Sequence, residues 1–344
     1  MLRRIFADGR GAGMITTLEQ LDASLGRMPA AVGLKVIDHI DSEAQRWISA
    51  SPLAFLSLAR LDGVAVTAAG GSAGFAQVQD RKRLSVPCEC LDRPELLSHG
   101  CGIGMLFLVP GIGETLRVNG RVLAVTDAHV ELAIEEVYVH CAKALLRSGF
   151  WSAARRDDIA LDADAFIATA RFVALATVDA EGHADLSPKG DAAGNMLRRK
   201  GDALSYAERP GNKRKDSLRN LIVQPQAAAL AIIPGSSLIA SIGGLAELDQ
   251  EPAACAAFAV DGKAPRLVTR LTGAHITLSE SAALHRANLW PLRATGHGID
   301  PARVLTAHIK LNKTVGFAAG LLRKVVSKRV MDASLRHDYK NRMY

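Results

Sequence analysis

Five cysteines in 344 residues, with no even framework in their spacing, are too few and too irregular for a disulfide-stapled scaffold. They fit a protein of the reducing cytoplasm. Residues 1–10 are basic but lack the apolar stretch that a secretion signal needs, so none is expected. The longest uncharged apolar run, residues 227–246, approaches membrane length. Pro234-Gly235-Ser236-Ser237 and Gly243-Gly244 interrupt it, which predicts two buried strands and a turn instead of a transmembrane segment. A nucleotide-binding glycine loop is missing, because Gly70-Gly71-Ser72-Ala73-Gly74 lacks the strand-turn-helix setting and the acidic follower. A standard metal motif is missing as well. Cys88, Cys90, His99 and Cys101 lie close together, but their spacing matches no usual zinc or iron-cluster form. The cysteines read as reduced thiols packed at a strand end, with a zinc or iron-cluster site the alternative, and no metal is expected. The body of the chain also lacks net charge. Residues 301–344 carry ten Lys/Arg against two Asp/Glu, which accounts for more than the whole-chain +7 and leaves −1 elsewhere. No nucleic-acid partner is therefore expected for the body.

What is present is enough chain for two domains, at 49% hydrophobic and 22% charged residues, the balance of an ordinary globular protein. Residues 14–50 read as helices, with Asp41 a capping candidate. Strands are expected at 53–58, 64–68, 83–86, 105–109 and 115–125, and a helix at 137–147. Then the pattern restarts. Trp47-Ile48 recurs as Phe166-Ile167, and Asp62-Gly63 as Glu181-Gly182, both 119 residues on. Leu84-Ser85 recurs as Leu204-Ser205 at 120, Pro110-Gly111 as Pro234-Gly235 at 124, and Trp151 as Trp290 at 139. An offset that grows in small steps is what loop insertions produce, so two tandem copies of one β-barrel domain are expected. The expected division is helices plus a first copy over 1–151, a polar linker at 152–163, a second copy over 164–300, and a basic amphipathic helical tail over 301–344.

Residues 184–220 combine a tight turn, clustered cations and small hydroxyl donors. They open with Asp185-Leu186-Ser187-Pro188-Lys189-Gly190-Asp191 and close with Glu208-Arg209-Pro210-Gly211-Asn212-Lys213-Arg214-Lys215-Asp216-Ser217-Leu218-Arg219-Asn220. Such a mixture suits a phosphate held by charge-assisted hydrogen bonds, or else a solvated basic loop between strands. With Leu106-Phe107-Leu108-Val109-Pro110-Gly111, Glu114-Thr115-Leu116-Arg117-Val118-Asn119-Gly120 and His140-Cys141-Ala142-Lys143-Ala144-Leu145, the stretch resembles the pyridoxamine 5'-phosphate oxidase-related, FMN-binding split-barrel flavoproteins. The resemblance covers about residues 14–291, but its pieces do not follow the family's order. Copy one has Thr67-Ala68-Ala69-Gly70-Gly71 where copy two has Leu186-Ser187-Pro188-Lys189-Gly190. Copy two in turn lacks the second group of motifs. In that family FMN lies between the two subunits of a homodimer. The resemblance therefore implies an α+β, mainly β fold of two split barrels forming an intramolecular pseudo-dimer, with one intact composite site.

The resemblance also implies site residues. Lys189 would stand near the flavin as a catalytic cation. Arg209, Asn212, Lys213, Arg214 and Ser217 are the phosphate candidates, with Asp185 and Ser187 on the preceding turn and Asp191 and Asp216 orienting the cations. Thr115 falls at a flavin-contacting position, and Arg117 shares its strand face as either a site residue or an exposed strand cation. His140, a catalytic candidate, and Lys143 and Arg147 either bind an acidic substrate or cap a helix end. The implied activity is FMN-dependent oxidoreduction of a small organic substrate. The alternatives are an F420-dependent reductase and a non-catalytic flavin- or haem-binding protein. The tail could pack on the barrel pair, lie on an anionic membrane or bind an acidic partner; packing over the pseudo-dimer or a homo-oligomer contact is expected, with its cations attracting anionic substrates.

Overall fold

A capping box and an Asp cap start the helices of the leading segment. In the computed structural model, which describes residues 13–156, 162–211, 214–293, 296 and 298–344, the lead comprises β1 (Met14–Ile15), α1 (Leu18–Leu25) and α2 (Ala30–Gly33). Thr17 and Gln20 close the box on α1, and Asp41 accepts from the Ala44 amide at 2.8 Å at the start of the next helix. The first unit then runs α3 (Ser42–Ala50), β2 (Leu53–Arg60), β3 (Gly63–Gly70), β4 (Gln77–Asp80), β5 (Arg83–Pro87), β6 (Gly102–Leu108), β7 (Thr115–Val125), β8 (His129–His140) and α4 (Lys143–Arg147). The second runs α5 (Ala163–Thr169), β9 (Phe172–Val178), β10 (Ala184–Gly190), β11 (Arg198–Lys200), β12 (Ala203–Ala207), α6 (Asp216–Val223), β13 (Gln226–Ile232), β14 (Leu238–Asp249), α7 (Pro252–Ala257), β15 (Val268–Glu280) and α8 (Ala282–Ala287). The tail holds α9 (Pro301–Leu311), α10 (Phe317–Val325) and α11 (Lys328–Asn341). No helix among the described residues is long and apolar enough to cross a membrane.

The two sheets repeat one strand order. The first reads β3-β2-β6-β7-β8-β5-β4 and the second β10-β9-β13-β14-β15-β12-β11, with β1 added on β14. Each strand of one unit thus has a counterpart at the same place in the other. Each unit also has its own core, one around Trp47, Met105 and Val139, the other around Phe166, Leu175 and Leu271. A third core joins them. Leu53, Phe55, Leu106 and Leu108 of the first unit meet Phe172, Ala174, Leu230 and Ile232 of the second, with the Phe55 and Phe172 rings 5.8 Å apart. Polar contacts repeat across this interface. Arg147 Nε donates to the Gly190 carbonyl and Arg286 Nε to the Gly70 carbonyl, both at 2.9 Å.

Three expectations change. The residues 137–147 do not form one helix. Val137, Tyr138 and Val139 pair with Val118, Arg117 and Leu116 of β7, because β-branched and aromatic side chains fit the pleat, and the helix begins only at Lys143. Gly243-Gly244 does not interrupt the second apolar strand. It absorbs a bulge, where the register on β15 shifts between Gly243 and Leu245. Residues 14–25 pack on the second unit, not on the first to which the reading of 1–151 assigned them: Met14–Ile15 pairs with β14, and Ile15 and Leu21 sit in the second core. An amphipathic pattern shows which face of α1 is apolar, but not which core receives it.

The tail packs through α9, whose Val304 and Leu305 enter the first unit's core. Leu305→Ala is therefore expected to destabilise the chain by about 2–5 kcal/mol, read as a lower urea midpoint. An unchanged midpoint would show that the tail is only laid against the surface.

Candidate functional site

A cleft of about 730 Å³ opens between the units. The turn after β10, the segment after β12, the start of α6 and the loop Lys263–Arg266 form the second unit's side, and β8's end with α4 forms the first unit's side. Leu25, Arg27 and Pro29 of the lead and Asp338, Arg342 and Tyr344 of the tail complete it. Of the residues expected from sequence, Ser187, Lys189, Arg209, Arg214, Ser217 and His140 line this cleft, as do Lys143 and Arg147. Asn212 and Lys213 lie outside the described residues.

Carboxylates hold these cations in place. Lys189 Nζ meets Glu208 Oε2 at 2.6 Å, and Glu208 Oε1 accepts from Thr269 at 2.9 Å. Arg209 Nε donates to Asp191 Oδ2 at 2.7 Å, with both side chains almost fully buried. Arg214 Nε donates to Asp216 Oδ2 at 2.5 Å, and its guanidinium lies 4.3 Å from the centre of the Tyr138 ring. Asp191 and Asp216 therefore do orient Arg209 and Arg214. Lys215 adopts a left-handed conformation, φ 59°, just before α6. Its ammonium reaches Asp22 and the Gly26 carbonyl of the lead.

Thr115, Arg117 and Asp185 are not on the cleft wall. Arg117 is neither an exposed strand cation nor a cleft-lining residue. It is buried, and Nη1 donates to Asp185 Oδ1 at 3.0 Å across the unit boundary. Asn119 reaches the same oxygen at 3.2 Å, and Asn220 of α6 donates to Asp185 Oδ2 at 2.9 Å. Burial raises the Asp185 carboxyl above its ordinary value, against the pull of Arg117. This network fixes α6 and β10 against β7. It supports the cleft from beneath.

His140 ends β8 and does not share α4 with Lys143 and Arg147. Burial first, then Arg117, Lys35 and Arg214, hold its imidazole well below the usual histidine range. It is neutral near pH 7. The unfolded chain takes up a proton at about pH 6.5 that the folded one refuses, so its stability contribution is present above that pH and lost on acidification. In urea titrations from pH 8 to 5, the wild type should lose stability relative to His140→Gln. Parallel curves would contradict the buried neutral ring.

No protein-family model matches the chain, and no curated protein matches it. Solved structures do. The HupZ protein of Group A Streptococcus is 20% identical, over 37% of this chain and 98% of its own, with a TM-score of 0.30. An F420 reductase is 14% identical over 35% and 98%, with a TM-score of 0.27. A putative pyridoxamine 5'-phosphate oxidase from Lactobacillus delbrueckii is 24% identical over 31% and 82%, with a TM-score of 0.24. The strand order, repeated in both sheets, carries the fold. The chain is a tandem pair of split β-barrels of one strand order.

The two split barrels do not offer two equal sites. Where the second has α6, the first has two single turns, Cys88–Cys90 and Pro94–Leu96. At the place related to the α4 end of the cleft, the first barrel's Asp92 accepts from Ser281 Oγ at 2.5 Å and from the Ala283 amide at 2.7 Å. A carboxylate thus already satisfies the start of α8. Cys88, Cys90, His99 and Cys101 do not converge. Among the described residues the one group with metal-ligand proximity is Asp179, Glu181 and His183, on the exposed β9–β10 turn. Glu208, Tyr138 and the tail residues of the cleft were not singled out from sequence. The partners of Tyr138 and of the tail residues lie far away along the chain, and although Glu208 stands in the 184–220 stretch, nothing local marks its pairing with Lys189.

Proposed function

We propose that the cleft binds FMN and that the chain is an FMN-dependent oxidoreductase acting on a small organic substrate. One observation carries the reading: ten Lys/Arg face four Asp/Glu on the walls of a cleft of about 730 Å³ between two split-barrel units. That size lies within the range of roughly 300–1,000 Å³ usual for cofactor sites. The cationic excess calls for an anionic ligand.

The donor set fits a phosphate. The start of α6 has no side-chain cap, so its first amides, with Ser217, are available to an anion. Arg209 is held by Asp191 through Nε, while its Nη2 is buried with no hydrogen-bond partner. A phosphate oxygen would supply that partner. Lys189, fixed by Glu208, offers positive charge on the cleft wall, and the neutral His140 ring offers a hydrogen-bonding group. When bound, FMN supplies the redox chemistry, while these residues bind, orient and electrostatically tune it. The size of the cationic excess favours, as a second reading, a more anionic deazaflavin such as F420.

Binding of FMN and riboflavin, followed by flavin fluorescence, tests the reading. Arg209→Gln should weaken FMN by about ten- to a hundred-fold, the equivalent of one charge-assisted bond of about 1.5–3 kcal/mol, and leave riboflavin unchanged. Equal losses for both would mean that Arg209 supports the fold alone. A deazaflavin absorption band in the purified protein would select the second reading.

A further inference from the structure

The segment after α11 runs into the cleft and meets its cations. Lys143, whose side chain is 3% exposed, bonds Asp338 Oδ2 and the Arg342 carbonyl, each at 2.8 Å. Arg147 Nη1 donates to the Met343 carbonyl at 2.8 Å. The Tyr344 ring lies between two guanidinia, 5.9 Å from Arg147 and 5.2 Å from Arg209, and its hydroxyl donates to Asp191 Oδ1 at 3.1 Å. Just upstream, the Tyr339 hydroxyl donates to Glu114 at 2.7 Å and accepts from the Ala142 amide at 3.1 Å.

Lys143 and Arg209 each have a carboxylate partner, Asp338 and Asp191, but Arg147 has poorer ones. Among the described residues Arg147 bonds three carbonyl oxygens, of Gly190, Pro210 and Met343, and no carboxylate. Burial pushes its guanidinium below its ordinary value. A carboxylate or phosphate would be worth about twice as much to it as a neutral carbonyl. Residues 342–344 are lightly anchored, because none of them is buried, whereas Met331 and Leu335 of α11 pack against the first core. An element held mainly by a few polar contacts can open without unfolding the core.

We propose that Lys143, Arg147 and Arg209 form an anion subsite for a carboxylate or phosphate group, and that residues 342–344 are its built-in occupant, displaced when the anion binds. The proposal rests on the cleft being an anion site and does not need flavin.

The test uses inorganic pyrophosphate with the full chain, with a chain lacking residues 342–344, and with Tyr344→Ala. Calorimetry should show pyrophosphate binding at least about ten-fold more tightly to the shortened chain, as removing a competing closed state requires, with Tyr344→Ala between the two. Hydrogen exchange of residues 338–344 in the full chain should speed up on adding pyrophosphate. Equal affinities, slower exchange, or no binding by any form would each overturn the proposal. The same titration on chain saturated with FMN locates the anion. Undiminished binding assigns the subsite to substrate, and competition assigns it to the flavin phosphate. If the chain binds no flavin, the flavin reading fails while the pyrophosphate experiment still decides this one.

Discussion

Arg117→Met will lower the stability of this chain by about 3–5 kcal/mol, the usual cost of leaving a buried charge without its partner. Arg117 is one of the largest fully buried side chains in the molecule. Its guanidinium crosses from the first barrel to Asp185 of the second. Without it, the hydrogen bonds to the Asp185 carboxylate among the described residues come from the amides of Asn119 and Asn220, with Arg214 acting at longer range. The carboxyl is already raised by burial, and losing the cation drives it further up. The folded form then takes up a proton that the unfolded form releases, so the variant's deficit should shrink as pH falls toward the ordinary carboxylate range. Arg117→Met with Asp185→Asn, which removes both charges, should recover most of the loss. Urea unfolding of the two single variants and the double closes the cycle. Additive losses would mean that the two residues do not act as a pair.

Gly190→Ala should damage both the interface and the cleft. A Cβ at Gly190 would lie 1.9 Å from the Ala144 carbonyl oxygen and 2.6 Å from its carbon. Both are backbone atoms of α4, so no rotamer relieves the clash, and α4 must move away from β10. Overpacking of this kind costs about 1–3 kcal/mol and at times more. The movement also breaks the bond from Arg147 to the Gly190 carbonyl and carries Lys143 and Arg147 away from the cleft. Gly70→Ala should give a similar stability loss, because its Cβ meets the Ala283 carbonyl oxygen at 2.2 Å, but it should spare the cleft. Gly33→Ala, with nothing within 4 Å, is the control. If the Gly190 and Gly70 variants unfold at the wild-type midpoint, the barrels do not pack as described.

What could be read from the sequence was what is local or periodic. The stepped offsets between Trp47-Ile48 and Phe166-Ile167, or Pro110-Gly111 and Pro234-Gly235, mark counterparts in the two units: helices α3 and α5, and the turns after β6 and β13, around sheets of one strand order. The turn Ser187-Pro188-Lys189-Gly190 and the run through Ser217 do meet at one cleft. What could not be read was whatever depends on distant pairing. Val137-Tyr138-Val139 suits a strand or a helix, and only β7 alongside decides. Arg117 looks like a strand cation until Asp185, 68 positions on, lies opposite. The basic tail showed its charge, but not that its end runs between Arg147 and Arg209.

The central claim is one composite site per chain, built from the second barrel's turn and α6 with the first barrel's β8 end and α4. Titration of flavin-free protein with FMN, followed by quenching of flavin fluorescence, tests it most directly. A break is expected at one FMN per chain, abolished or strongly weakened by Arg209→Gln in the second barrel and by Gly190→Ala at the junction with the first. Two equivalent FMN per chain would contradict it, because the site carrying Asp92 at the start of α8 would then be as competent as the other.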